Sequence, residues 1–216
     1  MSSLKTDIAA LQQELDSSIP GDARKLMQRS VQRVVESAIA ESALGAGEEF
    51  PMFSLPNVVG NAVSSEELLA NGPLVVSFYR GGWCPFCNLE LGAYQTLLDD
   101  IRQLGADFIA VSPQLPDESL TMAAKANLTF EILSDTGNSL SEHLGLVHEL
   151  APSMVDLYRS LGYDLERING NMRWTLPLPA TYVINQNKKI EKAFVNPDYS
   201  VRMEPDEVLL ALREMT

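Results

Sequence analysis

Cysteine and histidine are scarce in this chain, which has only two of each among its 216 residues. Two cysteines cannot build the disulfide framework of a small secreted domain, and a chain of this length can bury a core without one. Cys84 and Cys87 are therefore expected to act as reactive thiols or as metal ligands.

Positive charge and long apolar runs are also in short supply. The chain has 16 Lys and Arg against 29 Asp and Glu, which gives a formal net charge of −13. Such a surface repels polyanions and anionic membrane faces, so neither nucleic acid nor a membrane is an expected partner. No apolar run approaches the roughly 18 residues of a membrane span, and the first residues contain no apolar leader segment, which predicts a cytoplasmic protein.

The first 45 residues are predicted to form a helical extension. Residues 4–45 are rich in Ala, Gln, Glu, Leu and Arg, their apolar residues recur at helical intervals, and Pro20-Gly21 separates two helices. The apolar stripe of this extension is expected to pack on the rest of the chain or on a second subunit, so a homodimer is one expectation. Glycines and a proline after Leu44 break the helical period and mark the start of the main domain, residues 46–216.

Strand and helix patterns alternate after residue 74. An irregular or helical insertion separates the third predicted strand from the fourth. The predicted strands are Leu74–Tyr79, Phe108–Ser112, Phe130–Ser134, Thr181–Asn185 and Ile190–Val195, and the predicted helices cover residues 85–104, 118–126 and 205–213. This order predicts an α/β fold whose central sheet is mixed, parallel at its centre and antiparallel at one edge.

The segment Cys84-Pro-Phe-Cys87 follows a predicted strand by a Gly-Gly turn and opens an amphipathic helix. Unpaired backbone N–H groups and the positive end of the helix dipole stabilise a thiolate there, which lowers a cysteine pKa from its ordinary value of about 8.5. Two intervening residues place the sulfurs on one turn, close enough to form a disulfide. Strand, turn and helix together predict a redox-active pair.

This region resembles the alkyl hydroperoxide reductase/thiol-specific antioxidant (AhpC/TSA) family, which is peroxiredoxin-like, in the branch that carries a thioredoxin-like CPxC. The residues Phe78-Tyr79-Arg80, Cys84, Cys87 and Glu90 stand at the intervals of the peroxiredoxin Phe-Tyr-Pro, Thr, Cys and Glu. The resemblance implies a thioredoxin-like fold and a thiol peroxidase without a cofactor. It also implies a hydroperoxide substrate and a thioredoxin-like or low-molecular thiol as reductant. In this register Cys87 attacks the peroxide, and Cys84 takes the place of the threonine and resolves the sulfenic acid.

Thioredoxins offer a second register, because they read Trp-Cys-x-x-Cys as residues 83–87 do, and there the first cysteine is the nucleophile. The segment from Leu178 to Asn185 also resembles the place where thioredoxin-like proteins put a cis-proline before a strand, facing the cysteine pair. Pro179 is assigned that role, in which it exposes backbone groups to an incoming peptide or disulfide.

Some side chains depart from these patterns. Arg80 stands in place of the peroxiredoxin proline, and Pro179 lies near the position from which peroxiredoxins supply an arginine to the peroxide pocket. Arg80, Arg173 and Arg202 are the candidates for the missing cation. Glu90 either relays a proton or favours the helix dipole.

Three other hypotheses stay open. The two cysteines could be completed as a zinc site by His143 and His148, although these lie far away in the sequence and no metal is expected. A protein-disulfide reductase would work by mixed-disulfide exchange without peroxide, and a redox sensor or adaptor would bind a partner through the extension without turnover. Trp83 and Phe86 flank the cysteines and are predicted to form a docking surface for a partner.

Overall fold

The computed structural model describes residues 3–119, 123 and 127–215. We label its helices α1 (Leu4–Ser18), α2 (Gly21–Glu36), α3 (Ser65–Asn71), α4 (Pro85–Thr96), α5 (Leu98–Gln103), α6 (Ser139–His143), α7 (Pro152–Ser160), α8 (Leu165–Asn169) and α9 (Pro205–Glu214). The strands are β1 (Ser54–Pro56), β2 (Ala62–Ser64), β3 (Leu74–Phe78), β4 (Asp107–Ser112), β5 (Glu131–Ser134), β6 (Val147–Glu149), β7 (Thr175–Pro177), β8 (Ala180–Ile184) and β9 (Ile190–Val195). Among these described elements, no helix is both long and apolar enough to cross a membrane.

The central sheet has five strands in the order β5-β4-β3-β8-β9. β3 is parallel to β4, and β4 is parallel to β5. β8 is antiparallel to both β3 and β9. The mixed sheet expected from the sequence is thus confirmed, with parallel strands on one side and an antiparallel edge on the other.

Alternate residues of β3 face two separate cores. Val75 belongs to a cluster with residues of α4, α5 and α9, such as Leu91. Val76 belongs to a second cluster with residues of α3 and α6, such as Leu69. This period of two is what a strand covered on both faces produces, and it explains why β3 is buried along its whole length. The start of α4 is thereby held at the end of a central strand.

The five predicted strands match β3, β4, β5, β8 and β9 apart from their terminal residues. The helix predicted over residues 85–104 is instead two helices, because Leu97 leaves the helical backbone angles with φ −105° and ψ 7°. The hydroxyl of Thr96 donates to the carbonyl of Ala93 at 2.7 Å, a back-bond that bends helices. Most of the helix predicted near residues 118–126 lies outside the described residues.

The predicted helical extension consists of α1 and α2, and both pack on their own chain. Ile8 and Leu11 of α1 pack against the core that contains α4, whereas Leu26 and Met27 of α2 pack against the core that contains α7. The carboxylate of Glu204 accepts two backbone N–H groups at the start of α1, at 3.2 and 2.6 Å. The extension therefore lies against the helix that carries the cysteine pair. The domain boundary at residue 46 and the homodimer stay predictions.

Candidate active site

The loop between β3 and α4 sets the position of the cysteines. Gly81 has a φ of +143°, where a side chain would collide with Trp83 and with the Gln114 carbonyl oxygen. The N–H of Gly82 donates to that same Gln114 oxygen, and the N–H of Cys84 donates to the carbonyl of Gly81 at 3.0 Å. Close approach and positive φ together explain why residue 81 is a glycine. The two hydrogen bonds fix the turn that presents both sulfurs.

Both cysteines lie at the N-terminus of α4. Cys84 is its N-cap, Pro85 is at its first position and Cys87 follows in its first turn. Both are free thiols, with exposed fractions of 1% and 0%, and their side chains hydrogen-bond to each other. The structure therefore brings the predicted pair together at a helix N-terminus, in a buried place, and the two thiols titrate as a unit.

Arg202, between β9 and α9, lies on the Cys87 side of the pair. Its Nη2 is 3.4 Å from Cys87 Sγ, and its Nε donates to Glu90 Oε2 at 2.6 Å. Its Nη1 donates to the carbonyls of Tyr199 and Val201 at 2.5 and 2.9 Å. The side chains of Arg202 and Glu90 are each 1% exposed. Glu90 therefore balances this guanidinium before any charge forms on Cys87.

Arg80 lies on the Cys84 side of the pair. Its Nη1 is 3.7 Å from Cys84 Sγ, and its Nη2 donates to the hydroxyl of Tyr158. The guanidinium carbon lies 4.3 Å from the ring centre of Tyr199 and 4.8 Å from that of Trp83. Arg80 is 3% exposed, and within the described ranges no carboxylate forms an ion pair with it. A thiolate at Cys84 would therefore be the counter-ion of Arg80.

The pKa values of the two cysteines shift in opposite directions. Burial raises the pKa of Cys84, but the hydrogen bond from Cys87 and the charges of Arg80 and Arg202 outweigh it and bring that pKa well below its usual value. Burial, the same hydrogen bond and the negative charge on Cys84 raise the pKa of Cys87 well above its usual value. Burial also raises the pKa of Glu90 to about 6, against the opposing charge of Arg202. These opposite shifts favour Cys84 over Cys87 as the thiol of the pair that ionises first.

The cis conformation expected for Pro179 is wrong. No peptide bond of the described residues is cis. The N–H of Leu178 donates to the carbonyl of Leu146 at 2.8 Å, and the carbonyl of Pro179 accepts the N–H of Asn196 at 3.3 Å. The chain therefore runs extended from β7 into β8, which a trans bond permits. Pro179 still lies beside the site, because it lines a cavity of about 10 Å³ together with Arg80.

The remaining candidates do not meet at the cysteines. Arg173 pairs with Glu142 at 2.7 Å on the surface. His143 is exposed at the end of α6, with its ring nitrogen 2.8 Å from the carbonyl of Ser139. His148 lies in β6, where burial and the charge of Arg80 lower its pKa to about 4. Among the residues that the structure describes, no three His, Cys, Asp or Glu side chains form a group able to hold a metal, so the zinc set is not assembled.

The docking surface predicted for Trp83 and Phe86 is wrong. Phe86 is 3% exposed, and its ring centre is 5.8 Å from that of Tyr199. The ring of Trp83 packs on Tyr158 and Tyr163, with centres 5.4 and 5.3 Å apart. Trp83 thus packs on α7 and the segment after it, whereas Phe86 lies on the face toward α1 and α2. A cavity of about 380 Å³ separates them from Phe86 and Tyr199.

Sequence reasoning missed the aromatic residues around Arg80 and the glutamine that fixes the turn. Tyr158, Tyr199 and Gln114 belong to no short motif, and each comes from a different part of the chain. Tyrosine is intermediate in burial among the residue types, so its residue type alone gave no signal. Only the fold brings the three side chains to the cysteine loop.

Comparisons with known proteins agree with this geometry. The AhpC/TSA family matches residues 46–193. Peroxiredoxin Bcp of Escherichia coli (strain K12) is 27% identical over 172 residues, which cover 79% of this chain and 97% of that protein. Chloroplastic peroxiredoxin Q of Sedum lineare is 26% identical over 169 residues, which cover 78% of each protein.

Solved structures share the fold. Peroxidoxin BcpB from Mycobacterium tuberculosis superposes with a TM-score of 0.64 at 19% identity, covering 80% of this chain and 99% of that one. A mutant of PrxQ from Xylella fastidiosa superposes with a TM-score of 0.61 at 18% identity, covering 81% and 96%. The thioredoxin-like fold predicted from the sequence is thereby confirmed. With its matched region spanning more than half of its length, the chain belongs to the AhpC/TSA family and is a thiol-dependent peroxidase of the peroxiredoxin kind.

Proposed function

We propose that this protein reduces hydroperoxides by oxidising its own Cys84–Cys87 pair, and that an external thiol then reduces the resulting disulfide. The observation that carries the proposal is the pairing of each sulfur with its own buried arginine. Arg80 lies 3.7 Å from Cys84 Sγ and Arg202 lies 3.4 Å from Cys87 Sγ. Such preorganised cations stabilise both a thiolate and the negative charge that develops on a departing oxygen.

We assign the attack on the peroxide to Cys87. In the resting pair Cys87 donates a hydrogen bond to the charged Cys84, and transfer of that proton makes Cys87 the thiolate, beside Arg202. Cys87 Sγ attacks the terminal, OH-bearing oxygen of the peroxide and the O–O bond breaks. The other oxygen leaves with the proton that Cys84 returns, as an alcohol from an alkyl hydroperoxide or as water from hydrogen peroxide. The thiolate of Cys84 then attacks the sulfenic sulfur and expels hydroxide, which takes a solvent proton to become water.

A second assignment exchanges the two roles. The lowered pKa of Cys84 favours this assignment, because the resting thiolate is already there. The spacing shared with peroxiredoxins and the Arg202–Glu90 pair favour Cys87. Glu90 is proposed to hold Arg202 in place, and Pro179 to shape the Arg80 side of the site.

The position of α1 and α2 beside the site limits which substrates can reach the cysteines. The cavity of about 380 Å³ between the extension and the Phe86–Tyr199 ring pair is the proposed approach for the hydroperoxide. A low-molecular thiol fits the same approach, whereas a thioredoxin-like protein needs the extension to move away from α4. A cytoplasmic location, where such thiols are abundant, is part of the proposal.

Stopped-flow mixing of the reduced protein with hydrogen peroxide tests the proposal, with Trp83 fluorescence or thiol loss as the signal. Cys87→Ser should abolish the fast reaction. Cys84→Ser should react once and accumulate a sulfenic acid that can be trapped at Cys87 and located by mass analysis. The opposite pattern exchanges the roles of the two cysteines. If the wild type reacts no faster than a free thiol, the peroxidase proposal fails.

A further inference from the structure

The charge balance around Arg80 differs between the reduced and the oxidised cysteine pair. Arg80 is 3% exposed, its neighbours Tyr199, Trp83 and Tyr158 are uncharged rings, and its Nη1 is 3.7 Å from Cys84 Sγ. No carboxylate of the described residues pairs with it. A buried cation without a counter-ion is strongly unfavourable. A thiolate at Cys84 removes that cost, and a disulfide cannot, because its sulfurs carry no charge.

We propose that the Cys84–Cys87 disulfide is a strong oxidant of external thiols, because its formation deprives the buried Arg80 of its counter-ion. The inference rests on the proposed redox pair and concerns its second half-reaction. Stabilising the reduced form of a dithiol makes its disulfide more oxidising. The protein thus passes the oxidising power of a peroxide on to thiols, either those of a low-molecular compound or a dithiol of another protein.

Disulfide formation affects the charge balance of Arg202 less than that of Arg80. Its partner Glu90 lies at 2.6 Å and stays in place whether the sulfurs are reduced or oxidised. The guanidinium of Arg202 therefore keeps a counter-ion in both states. Arg80 is the cation whose balance depends on the redox state.

The exchange reaction can be written with glutathione as the thiol. A glutathione thiolate attacks Cys87 Sγ, the S–S bond breaks, and Cys84 leaves with the electron pair as the thiolate beside Arg80. A second glutathione thiolate attacks the glutathione sulfur of the mixed disulfide, which gives oxidised glutathione and releases Cys87 as a thiolate that takes a proton. Two glutathione thiols thus yield one retained thiolate, one thiol and one free proton.

That free proton supplies a signature that is independent of any variant. The charged and titratable groups facing Cys84 and Arg80 are Cys87, Arg202, Glu90, His148, Tyr158 and Tyr199. Burial lowers the pKa of His148 to about 4, and it raises the pKa of Glu90 to about 6 and that of Tyr199 to about 12. Between about pH 7 and about pH 8 these three keep their charge, so the equilibrium between the pair and glutathione should shift toward the reduced protein about tenfold per pH unit.

The experiment equilibrates the protein anaerobically in glutathione buffers and counts free thiols by alkylation and mass analysis. Arg80→Met keeps an unbranched, flexible side chain, although a shorter one, and removes the guanidinium charge. We therefore expect the equilibrium to shift toward the disulfide about tenfold or more, since each unit of pKa is worth tenfold. Arg80→Lys keeps the charge and should retain most of the wild-type value. Arg173→Met removes an exposed arginine and should change nothing.

The inference is overturned if the wild-type equilibrium is independent of pH, or if folded Arg80→Met has the wild-type midpoint and slope. If circular dichroism shows that Arg80→Met is unfolded, the inference is tested by two other measurements. These are the pH dependence of the wild-type equilibrium with glutathione and the equilibrium of Arg80→Lys, which should lie near the wild-type value. No peroxide is present in this measurement. A protein that is inert to peroxide but shows the slope therefore contradicts the proposed peroxidase alone, and a fast peroxidase without the slope contradicts this inference alone.

Discussion

The two arginines of the active site are about equally buried but are neutralised in different ways. Arg202 has a carboxylate at 2.6 Å, whereas Arg80 has aromatic rings, a phenol and Cys84. We call Arg202, Glu90 and Cys87 the Arg202 half of the site, and Arg80 with its aromatic neighbours and Cys84 the Arg80 half. The charge of Arg202 is balanced by Glu90 before any thiol ionises. The charge of Arg80 is balanced only after Cys84 has ionised. In this buried site, the position of the Glu90 carboxylate thus favours a resting negative charge on Cys84 and disfavours one on Cys87.

This difference gives the two halves separate expected duties. The Arg80 half holds the resting charge on Cys84, so it governs the equilibrium between dithiol and disulfide. The Arg202 half adds a hydrogen-bond donor at Cys87, where we propose that charge develops during attack. Variants of the two arginines should therefore change different measurements.

The largest expected effect is on the peroxide reaction of Arg202→Met. Removing a preorganised donor from a developing charge costs about 100-fold or more in rate, so the second-order rate constant with hydrogen peroxide should fall by at least that factor. Stopped-flow fluorescence measures it, and Arg173→Met should keep the wild-type rate. Because this change leaves Glu90 buried without its partner, the double variant Arg202→Met/Glu90→Gln should be measured too. If both variants react normally, attack occurs in the Arg80 half.

A smaller effect is expected from loosening the extension, which packs beside α4. Leu11 of α1 packs against the core that contains α4, so Leu11→Asp should weaken that contact by more than about 1.4 kcal/mol, which is tenfold in the population of open molecules. Alkylation of the reduced cysteines by iodoacetamide should then be about tenfold faster. Gln13→Asp, on the exposed face of the same helix, is the matched control. Equal rates in all three proteins would show that the extension does not limit access.

The sequence predicted the cysteine pair but not the difference between its two arginines. The strand, the Gly-Gly turn and the CPFC segment predicted the redox pair and its helix, because each is a local pattern. No local pattern showed which of Arg80, Arg173 and Arg202 lie at the cysteines. Arg202, for example, is 112 positions from its partner Glu90, and only the fold brings the two together. The docking of α1 beside α4 was not local either, because the apolar stripe of the extension alone left open whether it packs on the same chain or on a second one.

At Pro179 the sequence predicted a feature, a cis peptide bond, that the structure does not have. The segment before β8 matched a motif, but the backbone there is extended, with hydrogen bonds on both sides of Pro179. A short motif carries no information on the pairing of the preceding strand, and here β6 and β7 pair just before it. The family match was correct while the local conformation taken from thioredoxins was not.

An effect on stability rather than on rate is expected at Glu90, and it shows whether the Glu90–Arg202 ion pair also stabilises the fold. Burial raises the pKa of Glu90 from its ordinary value of 4.5 to about 6 despite Arg202, so burial costs this carboxylate more than its partner returns. A raised carboxyl pKa contributes stability below about pH 4.5 that is lost as the pH rises through about 6. From about pH 4 to about pH 7, the free energy of unfolding of the wild type should therefore fall by about 2 kcal/mol relative to Glu90→Gln. Urea denaturation of both reduced proteins measures the difference, in which all other titrations cancel. If the wild type instead gains on Glu90→Gln as the pH rises, the ion pair outweighs burial and the Arg202 half stabilises the fold as well as balancing its charge.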